Sequence, residues 1–321
     1  LLQRHATDPI FEQNNQLFER AAATGKTIAV VGGGPAGLSC AHRLAILGHD
    51  VVVFNRDSKP GGLNEYGIAA YKTIDDFAQI EVEYILSIGG IELRNNSPLE
   101  AQGGLAALCE EYDAVFLGVG LAHSNNLGID GEDLTGVVNA IEYIAELRQA
   151  RDKSKLPVGR NVVVIGGGMT AIDVAVQSKR LGAEQVHMVY RRGPQQMSAS
   201  VFEQTLAQTS GVTIHYWARP ERIIGNDHVT GVEFRIESKD TELRLDADIV
   251  FKAIGQKMDG DGLTSLETKA GRFVVDIDQR TSMDRVWAGG DCVVGGDDLT
   301  VSAVQHGKIA AIDIDRTLRA E

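Results

Sequence analysis

An apolar run entering a glycine triplet occurs twice in this chain, as TIAVVGGGPAG at residues 27–37 and as NVVVIGGGMTA at residues 161–171. Each reads as a buried strand that delivers the backbone into a phosphate-binding turn. Gly32, Gly34 and Gly37 fall on G-x-G-x-x-G spacing, and Gly166, Gly168 and Ala171 on its G-x-G-x-x-A variant. In this pattern the first glycine makes a tight turn and the second lets the main chain approach a pyrophosphate. The third small residue lets the next helix pack closely on the strand. That helix starts with free N–H groups and the positive end of its dipole facing the phosphates. Leu38, Ala41, Leu44 and Ala45 after the first turn, and Ile172, Val174 and Ala175 after the second, supply the helices' apolar faces. Apolar strands follow at residues 51–54 and 185–190. The pattern predicts an α/β fold with two Rossmann-like dinucleotide-binding domains. Two dinucleotide sites in one chain point to hydride transfer between their occupants.

A chain of 321 residues accommodates two such domains. Its 43% hydrophobic and 23% charged residues are those of a globular protein, and 36 glycines suit several tight turns. A formal net charge of −13 argues against nucleic acid or an anionic membrane as partner. No apolar run reaches bilayer-spanning length and no signal-peptide layout opens the chain, so a cytoplasmic location is expected. Cys40, Cys109 and Cys292 form no C-x-x-C, which leaves neither a sequence-evident redox disulfide nor an iron–sulfur ligand set, and each is expected to be a core residue. The eight histidines show no metal-ligand spacing, and no metal site is expected.

Residues 1–25 read as a polar, helical lead-in with Leu17, Phe18 and residues 21–23 as its apolar face. The acceptor for an adenine ribose is expected at the end of the second strand, where Asn55 stands, with Asp57 as an alternative. A carboxylate accepts from both ribose hydroxyls, whereas an amide offers one acceptor oxygen and one donor group. Asn55→Glu is therefore expected to tighten nucleotide binding. Pro60, Gly61, Gly62 and Leu63 form a turn that a flat ring could approach closely. In the second copy the ribose position is occupied by Tyr190, Arg191 and Arg192. Arginines there supply permanent, planar donors for a 2′-phosphate, which favours NADP, with NAD as second choice. The buried strand DAVFLGVG at residues 113–120 is mirrored by ADIVFKAIGQ at residues 247–256, which is expected to return the chain to the first domain. The polar stretch 152–159 is the expected domain boundary. VWAGGD at residues 286–291 offers two glycines for close approach and a carboxylate, Asp291, able to accept from a ribityl hydroxyl. The helix expected at 300–316 would aim its N-terminus at a flavin and so favour the anionic reduced form.

GGGPAG at Gly32, PGGL at Pro60, GGGMTAIDVA at Gly166, YRRG at Tyr190, AIGQ at Ala253 and AGGD around Gly289 together resemble the glutathione-reductase-type flavoproteins. More narrowly, they resemble the branch of the glutamate synthase small subunit and the flavin subunit of bacterial dihydropyrimidine dehydrogenase. The stretch YGIAAYK at residues 66–72 is nearer the dihydropyrimidine dehydrogenase side. The resemblance implies FAD in the first site and NADP, or NAD, in the second. It implies an FAD-binding domain at residues 1–158, an inserted NAD(P)-binding domain at 159–271, and the last part of the FAD domain at 272–321.

Carried over by position, Gly32, Gly34, Pro35, Ala36, Gly37, Asn55, Gly62 and Leu63 would line FAD, with Gly290, Asp291, Thr300 and Val301 from the C-terminal motif. Gly166, Gly168, Met169, Thr170, Ala171, Arg191 and Arg192 would line the nicotinamide nucleotide. Gly118 and Gly255, at the ends of the mirrored strands, join these sets. No catalytic side chain is implied: nicotinamide C4 hands a hydride to flavin N5, and the protein positions the rings. In the resembling proteins electrons then pass through iron–sulfur clusters to a partner subunit, where a pyrimidine or an imino acid precursor of glutamate is reduced. NAD(P)H and a protein partner are the implied partners, with no cluster in this chain. LLQRHATD at residues 1–8 resembles the junction that follows an N-terminal domain with two [4Fe–4S] clusters. The resemblance thus implies an electron-input subunit as in dihydropyrimidine dehydrogenase. The alternatives are the small-subunit module of glutamate synthase, a dithiol reductase of the thioredoxin reductase type, opposed by the missing C-x-x-C, and a non-turnover flavin- or nucleotide-binding sensor or assembly subunit, supported only by Asn55.

Overall fold

Runs of β-branched and apolar residues such as AVV and VVVF cannot be hidden on one face, and they form strands covered on both. The computed structural model describes residues 7–11, 13, 16–237, 239–260 and 262–320. The first six residues of LLQRHATD thus lie outside the described residues. The chain divides into a first unit, Leu1–Glu65, Thr73–His123 and Lys257–Glu321, and a second unit, Tyr66–Lys72 and Ser124–Gln256.

In the first unit five parallel strands lie in the order Val286–Ala288, Ala114–Leu117, Thr27–Val31, Asp50–Phe54 and Ile91–Arg94. Ile28 to Val31 and Val51 to Phe54 are at most 7% exposed, as a sheet covered on both faces requires. The helices Pro35–Ile46 and Thr300–Ala320 cover one face through Cys40, Ala41, Leu44, Ala310, Ala311 and Ile314. They meet at backbone distance because Gly307 has no side chain: a Cβ there would overlap the carbonyl oxygen of Ala36. Trp287 is buried under these helices, its indole N–H donating to Asp313 at 2.9 Å.

The second unit repeats the design. Its parallel strands run in the order Val137–Asn139, Ile249–Ala253, Asn161–Gly166, Gln185–Tyr190 and Thr213–Tyr216. The helices Ala140–Gln149, Met169–Arg180 and Val201–Thr209 pack on one face around Tyr143, Ile144, Ile172, Val176 and Ala207. An antiparallel sheet, Ala218–Gly225, Val229–Ile236 and Thr241–Asp246, covers the other through Ile223, Val232 and Phe234. Two parallel-sheet units with the second interrupting the first is the expected architecture.

The boundaries differ from those expected. Val137–Asn139 pairs with Ile249–Ala253, and the helix Ala140–Gln149 buries Tyr143, Ile144 and Leu147 in the second unit's core. The second unit's main segment therefore begins at Ser124 rather than at 159 and ends at Gln256 rather than at 271, and Tyr66–Lys72 belongs to it as well. An amphipathic helix shows in its sequence that one face is covered, but not by which sheet. The lead-in also differs. Helix occupies residues 7–11, whereas residues 16–26 are irregular, with the Ala21 and Thr24 N–H groups donating to the carbonyls of Ile46 and Gly48. Leu17 and Phe18 stay 55% and 46% exposed, so no continuous apolar face forms. Cys40 and Cys292 are buried and Cys109 is half-buried, all three as thiols. No helix among the described residues is long and apolar enough to cross a membrane.

Candidate functional site

The two glycine turns are built alike. Gly32 and Gly166 adopt φ of +107° and +152°, and a Cβ on either would overlap a carbonyl oxygen of the neighbouring strand's end, Gly118 or Ala253. A side chain at Gly37 would overlap the Gly32 carbonyl, which sets the helix Pro35–Ile46 directly on the turn. The N-cap residues are Gly34 and Gly168, so no side chain caps either helix, which leaves the N-terminus uncapped as an anion site requires. These close approaches are the spaces a pyrophosphate-binding turn needs.

The middle glycine of each triplet, which the motif treats as variable, is just as constrained. A Cβ on Gly33 would lie 2.8 Å from Asn55 Oδ1, and one on Gly167 would overlap the Tyr190 ring at its Cδ2. Each turn therefore touches the residue at the ribose position of its own unit.

In the first unit every named position lies at the carboxyl ends of the parallel strands, where open α/β sheets bind ligands. Gly32, Asn55, Gly118 and Gly290 follow four of these strands. Gly62 lies against Gly34, so closely that a Cβ on Gly62 would sit 2.9 Å from the Gly34 Cα, and the neighbouring Gly61 N–H donates to the Gly33 carbonyl at 2.7 Å. Gly290 lies against Ala36, and Thr300 donates to Asn64 at 3.1 Å. Leu63 and Val301 are exposed. Asp291 is half-buried, and burial together with the nearby Asp298 raises its carboxyl above the usual range. His306 accepts the Gly290 N–H at Nδ1, 3.2 Å away, and burial lowers its basicity against the opposing charges of Asp291 and Asp297. Sequence reasoning missed this histidine, which carries no motif signal.

Asn55 is 5% exposed, and its amide nitrogen donates at 2.9 Å to the carbonyls of Asp57 and Lys59 and to Asn95 Oδ1. The donor end is thus spent on folding the loop that follows. The Asp57 carboxylate faces Arg56 at 3.6 Å. An acid at position 55 would meet three acceptors, which reverses the expected benefit of Asn55→Glu.

In the second unit Gly166, Gly168, Met169, Thr170 and Ala171 form the turn and first helical residues, and Arg191, Arg192 and Gly255 lie at the same strand-end rim. Tyr190 donates its hydroxyl to the Gln196 carbonyl at 2.7 Å. Arg191 and Arg192 are exposed, and among the described residues neither guanidinium has a carboxylate partner. Behind the turn, Lys72 pairs with Asp173 at 2.6 Å and Glu203 at 2.7 Å. Burial disfavours its charge, but the bonds to both carboxylates outweigh that and hold the ammonium above its ordinary range. Asp173 also accepts from the Ala69 N–H and the Tyr71 hydroxyl, and Gln177 from the Ala70 N–H. This clamp binds residues 66–72 to the second unit.

Two dinucleotide turns of one design in one chain define a class, the two-site NAD(P)H-dependent flavoprotein oxidoreductases. The chain belongs to the pyridine nucleotide-disulphide oxidoreductase family, whose model matches residues 26–307. It is 33% identical over 93% of its length to the NADP(+)-dependent formate dehydrogenase subunit beta of Moorella thermoacetica, of which it covers 45%. It is 33% identical over 97% of its length both to the glutamate synthase [NADPH] small chain of Escherichia coli (strain K12) and to the NAD-dependent dihydropyrimidine dehydrogenase subunit PreT of Salmonella typhimurium, covering 72% and 73% of them. The chain thus spans from about half to three quarters of these relatives. Among solved structures, T. acidophilum thioredoxin reductase superposes with a TM-score of 0.74 and 21% identity, covering 91% of this chain and 99% of that one. The fold class and the branch expected from the motifs are those found.

Proposed function

We propose that this chain is the electron-input unit of a larger oxidoreductase: it takes a hydride from NADPH in preference to NADH and passes electrons to a protein partner. FAD fits the first unit, where Gly32, Gly34, Pro35, Ala36 and Gly37 would hold the pyrophosphate. Gly62, Leu63, Gly118, Gly290, Asp291, Thr300 and Val301 would border the rest, and Asn55 shapes the ribose loop. The nicotinamide nucleotide fits the second, on Gly166, Gly168, Met169, Thr170, Ala171 and Gly255. When both are bound, they supply hydride transfer from nicotinamide C4 to flavin N5. The chain's own part is to hold phosphates on uncapped helix N-termini and to keep backbone close to the cofactors. No side chain is assigned a proton transfer.

One observation carries the preference for NADPH: Arg191 and Arg192 stand at the ribose end of the second turn with no carboxylate engaging them among the described residues. The partner reading is supported by relatives whose names are those of subunits or chains of formate dehydrogenase, glutamate synthase and dihydropyrimidine dehydrogenase. An acceptor holding iron–sulfur clusters agrees with this reading.

Anaerobic mixing of the flavin-loaded protein with NADPH and with NADH, followed near ~450 nm, tests it. Faster bleaching by NADPH is expected, together with slow turnover on soluble acceptors. Replacing both arginines by alanine should raise the KM for NADPH far more than that for NADH; equal effects would remove the 2′-phosphate assignment. Failure to bleach with either nucleotide would favour the sensor or assembly role.

A further inference from the structure

Trp217 is the one residue between the strands Thr213–Tyr216 and Ala218–Gly225, and it joins the parallel sheet to the antiparallel one. Its φ is +56°, a left-handed conformation that a bulky side chain keeps only where its surroundings enforce it. Two neighbours enforce it here. The Trp217 N–H donates to the Arg192 carbonyl at 3.1 Å, and the indole fills the space over Gly193, where a Cβ would lie 2.9 Å from Cζ2 and 3.1 Å from Cε2. Gly193 itself is held in a closed turn, its N–H donating to Gln196 Oε1 at 2.9 Å. Yet Trp217 remains 50% exposed. Core packing therefore does not account for a strained aromatic at this point, because half of its apolar surface has been left in water.

We infer that Trp217 is the platform on which the adenine ring of the nicotinamide nucleotide stacks. This rests on the assignment of the second turn to NAD(P)H. In an adenine nucleotide the base is carried on C1′, the carbon next to the C2′ that bears the phosphate of NADPH. A ribose whose 2′-phosphate meets Arg191 and Arg192 places its base within a ribose width of that pair, and Trp217 is tied to Arg192 by its own backbone N–H, which donates to the Arg192 carbonyl. An exposed indole held rigid offers a π-face to a heteroaromatic base at little further entropy cost. The platform serves NADH and NADPH alike, since both carry adenine, whereas the arginines distinguish them.

The chain has two tryptophans, and the other, Trp287, is 1% exposed in the first unit. Both indoles emit, and Trp217→Phe leaves Trp287 as the remaining one, so the difference in tryptophan emission between the flavin-loaded wild type and this variant reports on Trp217. Titration with 2′,5′-ADP, which has the adenine and the 2′-phosphate but no nicotinamide, should quench it, and nicotinamide mononucleotide should not. Trp217→Ala should weaken NADPH and NADH by a similar factor, about 10- to 100-fold, with Trp217→Phe recovering most of the loss. Affinities for both nucleotides within twofold of wild type in Trp217→Ala would overturn the inference. So would equal losses in Trp217→Ala and Trp217→Phe, since a phenyl ring still stacks. If the arginine pair then still separates NADPH from NADH, the error lies with Trp217 alone. If 2′,5′-ADP binds neither form of the protein, the assignment of the second turn has failed.

Discussion

The ring of Tyr190 occupies the space where Gly167 would carry a side chain. The glycine is the variable position of its motif, and its smallness is what lets the turn and the ribose-end strand touch.

Gly167→Ala should therefore push Tyr190 or the turn aside. Overpacking of this kind costs about 1–3 kcal/mol, which, where it falls on the binding-competent turn, corresponds to about a 5- to 150-fold rise in the KM for NADPH. Flavin content should not change, because the first turn lies in the other unit. Steady-state kinetics beside the flavin-to-protein absorbance ratio reads both quantities.

Asn55→Asp keeps the shape of the side chain but turns its donor into an acceptor. It exchanges hydrogen bonds to Asp57, Lys59 and Asn95 for repulsion. A loss of about 1–3 kcal/mol of stability is expected, together with weaker retention of flavin. Thermal unfolding with and without added FAD measures it. Tighter FAD binding in this variant would return the residue to the ribose-accepting role its position suggests.

Lys72→Met leaves Asp173 and Glu203, both nearly buried, without their shared cation. Removing one member of such a group costs about 3–5 kcal/mol, or roughly 6–20 °C in the unfolding midpoint of the second unit. Adding Asp173→Asn should recover part of the loss. Calorimetry on the single and double variants separates this charge effect from lost packing, since a packing defect would not be rescued.

Protonation of His306 requires the Gly290 N–H to give up its acceptor. Its folded-state basicity lies below that of a free imidazole, chiefly through burial. The sign follows from linkage: the stability it contributes is present above pH ~6.5 and is lost as pH falls through the lower folded value. His306→Asn keeps an acceptor for Gly290 but cannot be protonated. Between pH 7.5 and about 5 the variant's unfolding midpoint should fall less than that of the wild type, whose His42, His187 and His215 shift in the same direction in both proteins. Parallel curves would show that His306 does not contribute.

The two turns, their strands and their helices were legible because each rests on local pattern: an apolar run, small residues at fixed spacing, then helical periodicity. Gly33, Gly167 and Gly193 were not, because the reason for each is a side chain 20 or more residues away, at Asn55, Tyr190 and Trp217. The allegiance of residues 66–72 was hidden for the same reason. YGIAAYK has no strand or helix period, and what holds it is a lysine that reaches acids more than 100 residues later. Asn55 was read by position as an acceptor, whereas its neighbours use it as a donor. The antiparallel sheet at residues 218–246 went unread, as its exposed faces carry many charges and its apolar residues alternate over short spans.

The first unit's sheet ends at Val286–Ala288, and its covering helix at Ala320. During synthesis the first glycine turn leaves the ribosome early, yet the strand and helix that enclose it arrive only after the whole second unit has been made. Apart from residues 66–72, the second unit is one continuous stretch and can close while the chain is still growing. The half made first is thus the half finished last, and a ribosome stalled before residue 286 would hold a complete nucleotide unit tethered to an open, unfinished one.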